Sequence, residues 1–525
     1  MRQSTRLIAT LLFALLLLPA LAFASGTGED GGASDGDVIV LEYWDENNRN
    51  GRLDPDQPLS AFAAEEFGVA FEGPVISWNG GTDYLQQLRI RIAAGNLPDV
   101  FLPWGGIEDE LIENDAVAPL GDLVSENMPV YQAAVPDQVW SYVTSQGDGE
   151  VYFLPAVAFT PLAGHIRGDW LDRLGLEVPT TIGEYVEVLR AFRDEDANGN
   201  GDPDDEFPTS GREFGRWMDH HFAAFGVAMI EGLPAWDIYD GEIQYSAVQP
   251  EMRAAIAFLR DLYAEGTLDP ETFINTNQIW QGKITSDLVG AWYHGLHWSG
   301  GRFRPLYNSG VEEVRFEYLP VLEGTGFEGF YTKTDLRRPE RMFNAKLSEE
   351  AISRAMRFFE WNNNPATANE RRFDGIEGFH WQTVDGAKQL IASGDWEAES
   401  DGYRWPIGGN LHASAESVIE NQQFHLEVAQ SQDDELSIRA AESVIALIEA
   451  YEDDATRSIA GQFLPPSIYD GYPDIQAHKK YQEYAARIIV GEWDIARFDE
   501  FVEAWYEEGG EEVTARAQTA YADFQ

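Results

Sequence analysis

Residues 165–208 read HIRGDWLDRLGLEVPTTIGEYVEVLRAFRDEDANGNGDPDDEFP, and this segment carries the clearest local signals in the chain. A short helical turn is closed by Gly175, because glycine readily ends a helix in the left-handed conformation. Thr180 or Thr181 is then the N-cap of a longer helix that runs to Arg193, since a threonine hydroxyl accepts a free N–H group of the first turn. The segment therefore predicts a capped helix followed by an acidic loop.

The acidic loop places an oxygen-bearing side chain at every second position. The ligand candidates are Asp196, Asn198, Asn200, Asp202, Asp204, Asp205 and Glu206. Ca²⁺ takes about six to eight oxygens, and alternating positions of one loop can supply them. A strict EF-hand loop would end in glutamate where this chain has Phe207, so either Asp205 or Glu206 has to close the site. We predict a structural calcium ion here; the alternative is an acidic turn without metal.

Strand and helix patterns alternate on both sides of this segment. VIVLEYW, residues 38–44, is rich in branched and aromatic residues and predicts a strand. A second strand is predicted over residues 149–154. Apolar residues three or four positions apart predict amphipathic helices over residues 83–94 and 250–264. Such alternation predicts an α/β fold with parallel strands.

The composition excludes several classes of protein. The chain has 525 residues, with 90 Asp or Glu, 36 Lys or Arg and a formal net charge of -54. This charge repels nucleic acids, whose binders need a basic surface, so no nucleic-acid partner is expected. The chain has no cysteine, which excludes disulfides, zinc–thiolate sites and thiol nucleophiles. The acid excess favours a halophilic source, in which salt screens self-repulsion; an ordinary acidic exported protein is the alternative.

Residues 1–24 have the organisation of a cleavable signal peptide. Arg2 and Arg6 precede an apolar run, and AFA at residues 22–24 provides a cleavage site. No cysteine follows the run, so we expect no lipid anchor and a periplasmic or secreted mature protein. Residues 25–37 are rich in Gly, Ser and Asp and predict a flexible tether.

Six motifs occur in a familiar order along the first half of the chain. They are LQQLRIRIAAGNLPDVF (85–101), LIENDAVAPLGDLV (111–124), GEVYFLP (149–155), the segment 165–208, LYAEGTLDPETF (262–273) and QGKI (281–284). With these motifs the chain resembles the extracellular solute-binding proteins of ABC importers. The similarity is to the carbohydrate-binding group near the alginate-oligosaccharide binders.

The resemblance implies a two-lobed periplasmic-binding-protein fold with a ligand cleft between the lobes and crossing hinge strands. It implies a carbohydrate ligand, closure of the lobes around it, and docking on the transmembrane subunits of an ABC permease, without catalysis. We expect the protein to be a monomer. The predicted parts are a first lobe beginning over 38–160, a second over 161–289 with the calcium loop, strand exchange over 290–345, and a helical part, 346–525, that completes both lobes.

Candidate ligand contacts lie at the ends of predicted strands, in glycine-containing loops or in the motifs above. They are Trp44, Asp45, Trp104, Arg167, Trp292, His294, Trp298 and Trp405. A sugar cleft combines aromatic platforms with polar side chains, which is why these residue types are chosen. The alternative for the tryptophans is core packing, and for Arg167 it is a structural ion pair. His294 and His297 form an H-x-x-H pattern, but no third ligand supports zinc.

The acidic stretch 45–54 after the first strand is predicted to line the cleft. Calcium is disfavoured there because Arg49 stands where an oxygen ligand would be needed.

Two other functions stay open from the sequence. One is an exported carbohydrate-active enzyme, although no sequence feature selects a catalytic carboxylate pair. The other is the same scaffold binding a peptide or another nonsugar solute. The candidate stretches are rich in Trp, Asn and Asp rather than in clustered Arg or Lys, and this favours a neutral oligosaccharide.

Overall fold

The structure is a computed structural model that describes residues 37–146, 149–333, 338–363, 381–384, 387–390 and 411–524. The predicted signal peptide and nearly all of the predicted tether lie outside these residues. The described chain starts its first strand at Ile39, one residue after the sequence predicts folding to begin. Within these ranges, no helix is both long enough and apolar enough to cross a bilayer.

A six-stranded mixed sheet organises the first lobe. Its strands, in spatial order, are His412–Ala413, Leu154–Ala158, Arg338–Phe343, Val100–Phe101, Ile39–Trp44 and Val69–Glu72. The strand Ile39–Trp44 runs parallel to both of its neighbours, as expected when helices connect successive strands. Arg338–Phe343 enters antiparallel between two strands from earlier in the chain.

Aromatic packing forms the core of the first lobe. The ring of Tyr43 lies 5.8 Å from that of Phe71, edge to face, and Phe71 lies 5.1 Å from Phe358. The helix Glu349–Asn363 supplies Phe358 and Phe359, so the segment that returns at Arg338–Phe343 also delivers a helix to this core.

A four-stranded sheet organises the second lobe. Its spatial order is Phe316–Leu319, Leu162–Arg167, Val289–Gly295 and Phe207–Thr209. Two buried clusters pack against it. One contains Tyr185, Leu189 and Phe192 together with residues of the C-terminal helices, and the other contains Trp292 and Phe316. The chain thus leaves the first sheet after Ala158, builds the second sheet, and returns at Arg338.

The remaining strands form small two-stranded sheets. They are Met229–Ile230 with Leu233–Pro234, Trp236–Tyr239 with Glu242–Tyr245, Tyr331–Lys333 with Thr456–Ser458, and Trp381–Val384 with Ala387–Leu390. The α-helices are Pro58–Phe67, Thr82–Ala93, Glu108–Glu113, Gly121–Asn127, Pro129–Ala134, Asp137–Gln146, Gly168–Leu174, Ile182–Asp194, Asp219–Ala223, Pro250–Ala264, Asn277–Thr285, Phe303–Asn308, Glu349–Asn363, Ala415–Ser431, Glu435–Glu452, Pro473–Gln476, Lys479–Ile489, Arg497–Trp505 and Glu511–Phe524.

Local signals predicted the best-defined helices correctly. The helix Pro250–Ala264 has the predicted bounds. Of the two threonines proposed as N-cap, Thr181 is the one that accepts the Glu184 N–H, at 3.2 Å, and Glu184 in turn accepts the Thr181 N–H. The strand predicted over 149–154 is wrong, because strand geometry begins only at Leu154, where the distant Arg341 supplies its pairing partner.

Arg341 is a buried cation that joins the returning strand to the first strand of the fold. Its guanidinium is 2.9 Å from Glu340 and 3.3 Å from Asp45, and all three residues are almost fully buried. Burial raises the pKa of Asp45, which Arg341 opposes. The arginine therefore offsets part of the cost of burying two carboxyl groups inside the lobe.

Replacing Arg341 by glutamine should lower the free energy of unfolding by about 3–5 kcal/mol, because removing one partner leaves buried charges unpaired. The matched control is Arg315→Gln, whose ion pairs with Asp172 and Glu317 are half exposed and contribute less than about 1 kcal/mol. Chemical denaturation of both variants measures the difference. Equal losses in the two variants would contradict a structural role for the Arg341 pairs.

Candidate functional site

A cavity of about 520 Å³ lies between the two lobes. The first lobe lines it with Glu46, Arg49, Trp78, Gly80 and Trp104. The second lobe lines it with Arg212, Arg216, Trp217, Glu231, Asn277, Gln281, His294, His297 and Trp298. Cavities of about 620 and 790 Å³ lie elsewhere, but no tryptophan lines either of them. The cleft cavity is therefore the best candidate for a site that binds a ring-shaped solute.

Tryptophan rings face the cavity from both lobes. Trp78 and Trp104 meet edge to face in the first lobe, with ring centroids 4.9 Å apart. In the second lobe the ring of His294 lies 4.7 Å from both Trp217 and Trp298. Trp298 is 37% exposed, so it presents a large apolar face toward a ligand.

Two glycines create the space that these tryptophans occupy. A Cβ added to Gly81 would lie 2.0 Å from Nε1 of Trp104, and one added to Gly295 would lie 2.5 Å from the ring of Trp298. Gly81 also has a φ of +90°, which side-chain-bearing residues rarely adopt. In each wall, the tryptophan ring thus occupies space that a neighbouring glycine leaves open because it has no Cβ.

The arginines of the second-lobe wall are held in ion pairs. Arg212 forms a two-pronged pair with Glu213, and its third nitrogen donates to Oδ1 of Asn277 at 3.0 Å. Arg216 pairs with Glu231 at 2.6 Å. These contacts fix the guanidinium groups at the cavity edge.

A third arginine, Arg302, lies behind this wall. It is 4% exposed and donates to the Trp298 carbonyl at 3.2 Å and to Oε1 of Gln281 at 3.3 Å. Its Nη2 is 3.1 Å from Nδ1 of His294. Since arginine has only donors, Nδ1 must be the acceptor, and the proton of His294 sits on Nε2. Burial holds the pKa of His294 well below its usual range, so the ring is neutral.

Three of the predicted ligand residues come together in this cavity. Trp104, His294 and Trp298 all contribute to its lining. His297 also lines it, and no metal ligand set forms around His294 and His297 in the part of the chain that the structure describes.

Trp44 and Asp45 lie one layer below the cavity. Trp44 is buried, and its Nε1 donates to Glu42 at 3.0 Å. Asp45 accepts the backbone N–H of Asn47 at 2.6 Å and caps the single turn Glu46–Asn50. Asp45 therefore supports the turn from which Glu46 and Arg49 reach the cavity, and Trp44 packs beneath it in the core.

Trp292 and Arg167 are placed inside the second lobe. Trp292 is fully buried and stacks on His165, with ring centroids 5.3 Å apart and planes 13° apart. Arg167 forms buried ion pairs with Asp169 and Asp287, as the structural alternative for this residue expects. Neither residue contributes to the cavity lining, and Trp405 lies outside the described residues.

Several lining residues were not predicted from the sequence. They are Trp78, Arg212, Arg216, Trp217, Glu231, Asn277 and Gln281. Trp78 ends a stretch that resembles a strand, although the strand itself stops at Glu72. The others come from separate loops and one helix start, and no local pattern marks them as neighbours.

The acidic loop of the second lobe folds as a series of turns stabilised by its own side chains. Oδ1 of Asn198 accepts the Asn200 N–H at 2.9 Å, and Oδ1 of Asn200 accepts the Asp202 N–H at 2.7 Å. Both oxygens of Asp205 accept side-chain amides, from Asn198 at 2.9 Å and from Asn200 at 2.7 Å. Both oxygens of Asp205 therefore already have a partner within the loop.

Two carboxylate oxygens of the same loop are left without a partner among the described residues. They are Oδ1 of Asp196 and Oε2 of Glu206, and both are buried. Burial also raises the pKa of Glu206. The described residues contain no cluster of three acidic or histidine side chains ready to hold a metal. The orphaned oxygens nevertheless fit a cation that would draw Asp196 and Glu206 together.

Asp219 is a buried carboxylate near the cleft. It begins the helix Asp219–Ala223, is 3% exposed, and neither oxygen has a hydrogen-bond partner among the described side chains. Burial raises its pKa to about 7. Folding therefore favours the protonated form of the Asp219 carboxyl group.

A cleft lined by aromatic and polar side chains from two α/β lobes defines a protein that encloses a small solute. The comparison with known families agrees with this class. Residues 51–326 match the bacterial extracellular solute-binding protein family, and the chain belongs to that family.

Two curated relatives show the range of similarity. The fructooligosaccharide ABC transporter substrate-binding protein FusA of Streptococcus pneumoniae serotype 4 is 26% identical over 360 residues, which are 61% of this chain and 62% of FusA. The match thus spans just under two thirds of the length of FusA. The polygalacturonan/rhamnogalacturonan-binding protein YtcQ of Bacillus subtilis is 22% identical over 488 residues, 85% of each chain.

Solved structures of similar fold cover nearly the whole chain. FusA from S. pneumoniae in complex with kestose has a TM-score of 0.66 at 18% identity, over 93% of this chain and 99% of FusA. The alginate-binding protein AlgQ2 without calcium ion has a TM-score of 0.64 at 19% identity, over 93% and 99%. The predicted two-lobed α/β fold is confirmed.

The raised pKa of Asp219 predicts a pH-dependent stability. Above the pKa of an unfolded aspartate, about 4, the unfolded chain loses the proton that the folded chain keeps up to about pH 7. Asp219 therefore lowers stability as the pH rises between these values. The free energy of unfolding of Asp219→Asn, measured relative to that of the parent, should therefore increase between pH 4 and pH 8, by up to about 4 kcal/mol.

Denaturant unfolding of both proteins across this range measures the effect, and titrations common to both cancel in the difference. The exposed Asp122→Asn is the control and should show no such trend. A pH-independent difference for Asp219→Asn would refute this interpretation.

Proposed function

We propose that this protein is the extracytoplasmic binding component of an ABC importer and that it captures an oligosaccharide in the cleft. The observation that carries the proposal is the cavity itself, which has tryptophans on both walls. Sugar rings have apolar faces that pack on aromatic rings and hydroxyl groups that bond to polar side chains.

Closure of the lobes is the proposed mechanism of capture. A ligand that contacts both walls binds the closed arrangement better and so shifts the population toward it. Lining residues from the two lobes come close at Gly80, where an added Cβ would be 3.5 Å from Nη2 of Arg212. The closed form would then dock on the permease subunits.

The names of the relatives support an oligosaccharide over a peptide or a catalytic role. FusA is named for fructooligosaccharides and YtcQ for polygalacturonan and rhamnogalacturonan, and both are named as binding proteins. No observation in the cleft favours the enzyme alternative.

We further propose that the mature protein is exported by the leader over residues 1–24, acts as a soluble monomer outside the cytoplasm, and works in high salt. The family is extracellular, and the net charge of -54 suits a medium in which salt screens self-repulsion. The absence of a cysteine after the leader supports a protein without a lipid anchor.

Removing an aromatic platform should weaken ligand binding. Trp104→Ala and Trp298→Ala should each raise the Kd about 10- to 100-fold, the equivalent of losing about 1.5–3 kcal/mol of aromatic burial. The matched control is Trp493→Ala, a half-buried tryptophan that packs on Tyr484 away from the cleft.

Tryptophan fluorescence and calorimetry with kestose and with trigalacturonate measure binding, and chromatography tests for products. Saturable binding without products, weakened by the cleft substitutions alone, is the expected result. Cleavage of the sugar would replace the binding proposal with the enzyme alternative.

We also propose that the acidic loop binds a structural calcium ion, closed by Glu206 rather than by Asp205. The orphaned oxygens of Asp196 and Glu206 support this, whereas both Asp205 oxygens already accept side-chain amides. Asp196, Asn198, Asn200, Asp202 and Glu206 would supply oxygens, with the neighbouring Asp204 on the same loop. Two similar structures support the idea: AlgQ2 was solved without calcium ion, and FusA as an EF-hand mutant.

Chelation should lower the melting temperature of the parent, because an ion that binds only the folded state stabilises it by about 2.7 kcal/mol at a hundred times its Kd. Glu206→Gln should abolish this response to chelator, and Asp205→Asn should retain it. Thermal unfolding with calcium or EDTA makes the comparison. A parent protein that is indifferent to EDTA would contradict the calcium site.

A further inference from the structure

Arg302 is a buried cation without an acidic partner. Among the described residues no carboxylate pairs with it, and its Nε has no hydrogen-bond partner at all. Burial lowers its pKa to about 10. A buried unpaired charge is strongly destabilising, and the chain has 90 acidic residues from which a partner could have come. The missing counter-charge is therefore a specific feature of this wall.

The arginines also bond to side-chain acceptors of the wall. Arg302 donates to Oε1 of Gln281 and to Nδ1 of His294, and Arg212 donates to Oδ1 of Asn277. The amide NH₂ groups of Gln281 and Asn277 and the Nε2–H of His294 are the donors of these three lining residues, and each amide oxygen keeps one lone pair. Their side chains thus have donors left to offer a ligand, while one acceptor of each is already engaged by arginine.

The lining is far less acidic than the chain as a whole. Three arginines and two glutamates line the cavity, although acids outnumber Lys and Arg by 90 to 36 overall. Arg212 and Arg216 are paired with Glu213 and Glu231, and Glu46 lies on the same turn as Arg49. Arg49 is exposed, and no carboxylate pairs with it among the described residues.

From this arrangement we propose that the ligand is an acidic oligosaccharide, with a uronate carboxylate that lies between Arg49 and the donor wall of Gln281, Asn277 and His294. The inference rests on the proposed function and specifies its ligand class. A carboxylate is an acceptor only, and it bonds guanidinium and N–H donors strongly. Arg302, one layer behind His294, supplies the uncompensated positive charge that the carboxylate neutralises.

A neutral sugar would complement this wall less well. Each hydroxyl group brings a donor as well as an acceptor, and on this wall its donor finds oxygens that already bond to arginine. The buried charge of Arg302 would also stay unpaired in such a complex. The proposal therefore departs from the neutral ligand that the residue types alone favour.

The test compares trigalacturonate with its fully methyl-esterified form, which has the same rings and length but no charge. Calorimetry at low and at high salt should show that esterification weakens binding at least tenfold. Arg49→Gln should weaken binding of the acid about tenfold and binding of the ester less, so that the ratio of the two affinities falls. The matched control is Arg52→Gln, an exposed arginine outside the lining, which should change neither.

Arg302→Lys and Arg302→Gln extend the comparison behind the wall. Lysine keeps the charge and should retain part of the preference for the acid over the ester, whereas glutamine should lose it; far-UV circular dichroism and thermal unfolding check that each variant is folded. Equal binding of acid and ester, or tighter binding of kestose, would overturn the acidic ligand and keep the sugar-binding role. No binding of any of the three sugars would overturn the proposed function and this inference with it.

Discussion

The buried guanidinium of Arg341 is the interaction on which the first wall of the cleft depends. It joins the strand that returns from the second lobe to Asp45 at the end of the first strand. Asp45 then caps the single turn that carries Glu46 and Arg49. One cation thus connects the crossing of the chain between lobes with the position of the cavity lining.

The buried arginines of this acidic protein have two different roles, which differ in whether a carboxylate of the protein pairs with the guanidinium. Arg167 and Arg341 each neutralise two buried carboxylates of their own lobe. Such clusters hold a fold together because each charge is satisfied before any ligand arrives. Arg302 is as deeply buried, but only neutral acceptors surround it. The positive charge of Arg302, behind His294, therefore has no counter-charge among the described residues, and in the proposal the ligand supplies it.

Much of the fold was predictable from local signals, and the site was predictable only in part. Thr181 caps its helix and Gly175 ends one because these effects act within a single turn. Trp104, His294 and Trp298 line the cavity, and the sequence marked them because Trp104 follows a strand and the other two lie in a glycine-containing loop. Arg212 and Asn277 could not be found in this way, since their shared hydrogen bond joins residues 65 positions apart.

The same limit explains why the residue types alone do not lead to the proposed acidic ligand. The expectation of a neutral sugar came from stretches rich in Trp, Asn and Asp, and these did not include Asn277 or Gln281. In the fold, arginine occupies Oδ1 of Asn277 and Oε1 of Gln281, and donors remain. Whether the NH₂ group or the oxygen of a side-chain amide faces the ligand depends on a contact from another element. The residue type alone does not specify that orientation. The hydrogen-bond direction of the wall is thus a tertiary property, and the proposed acidic ligand depends on it.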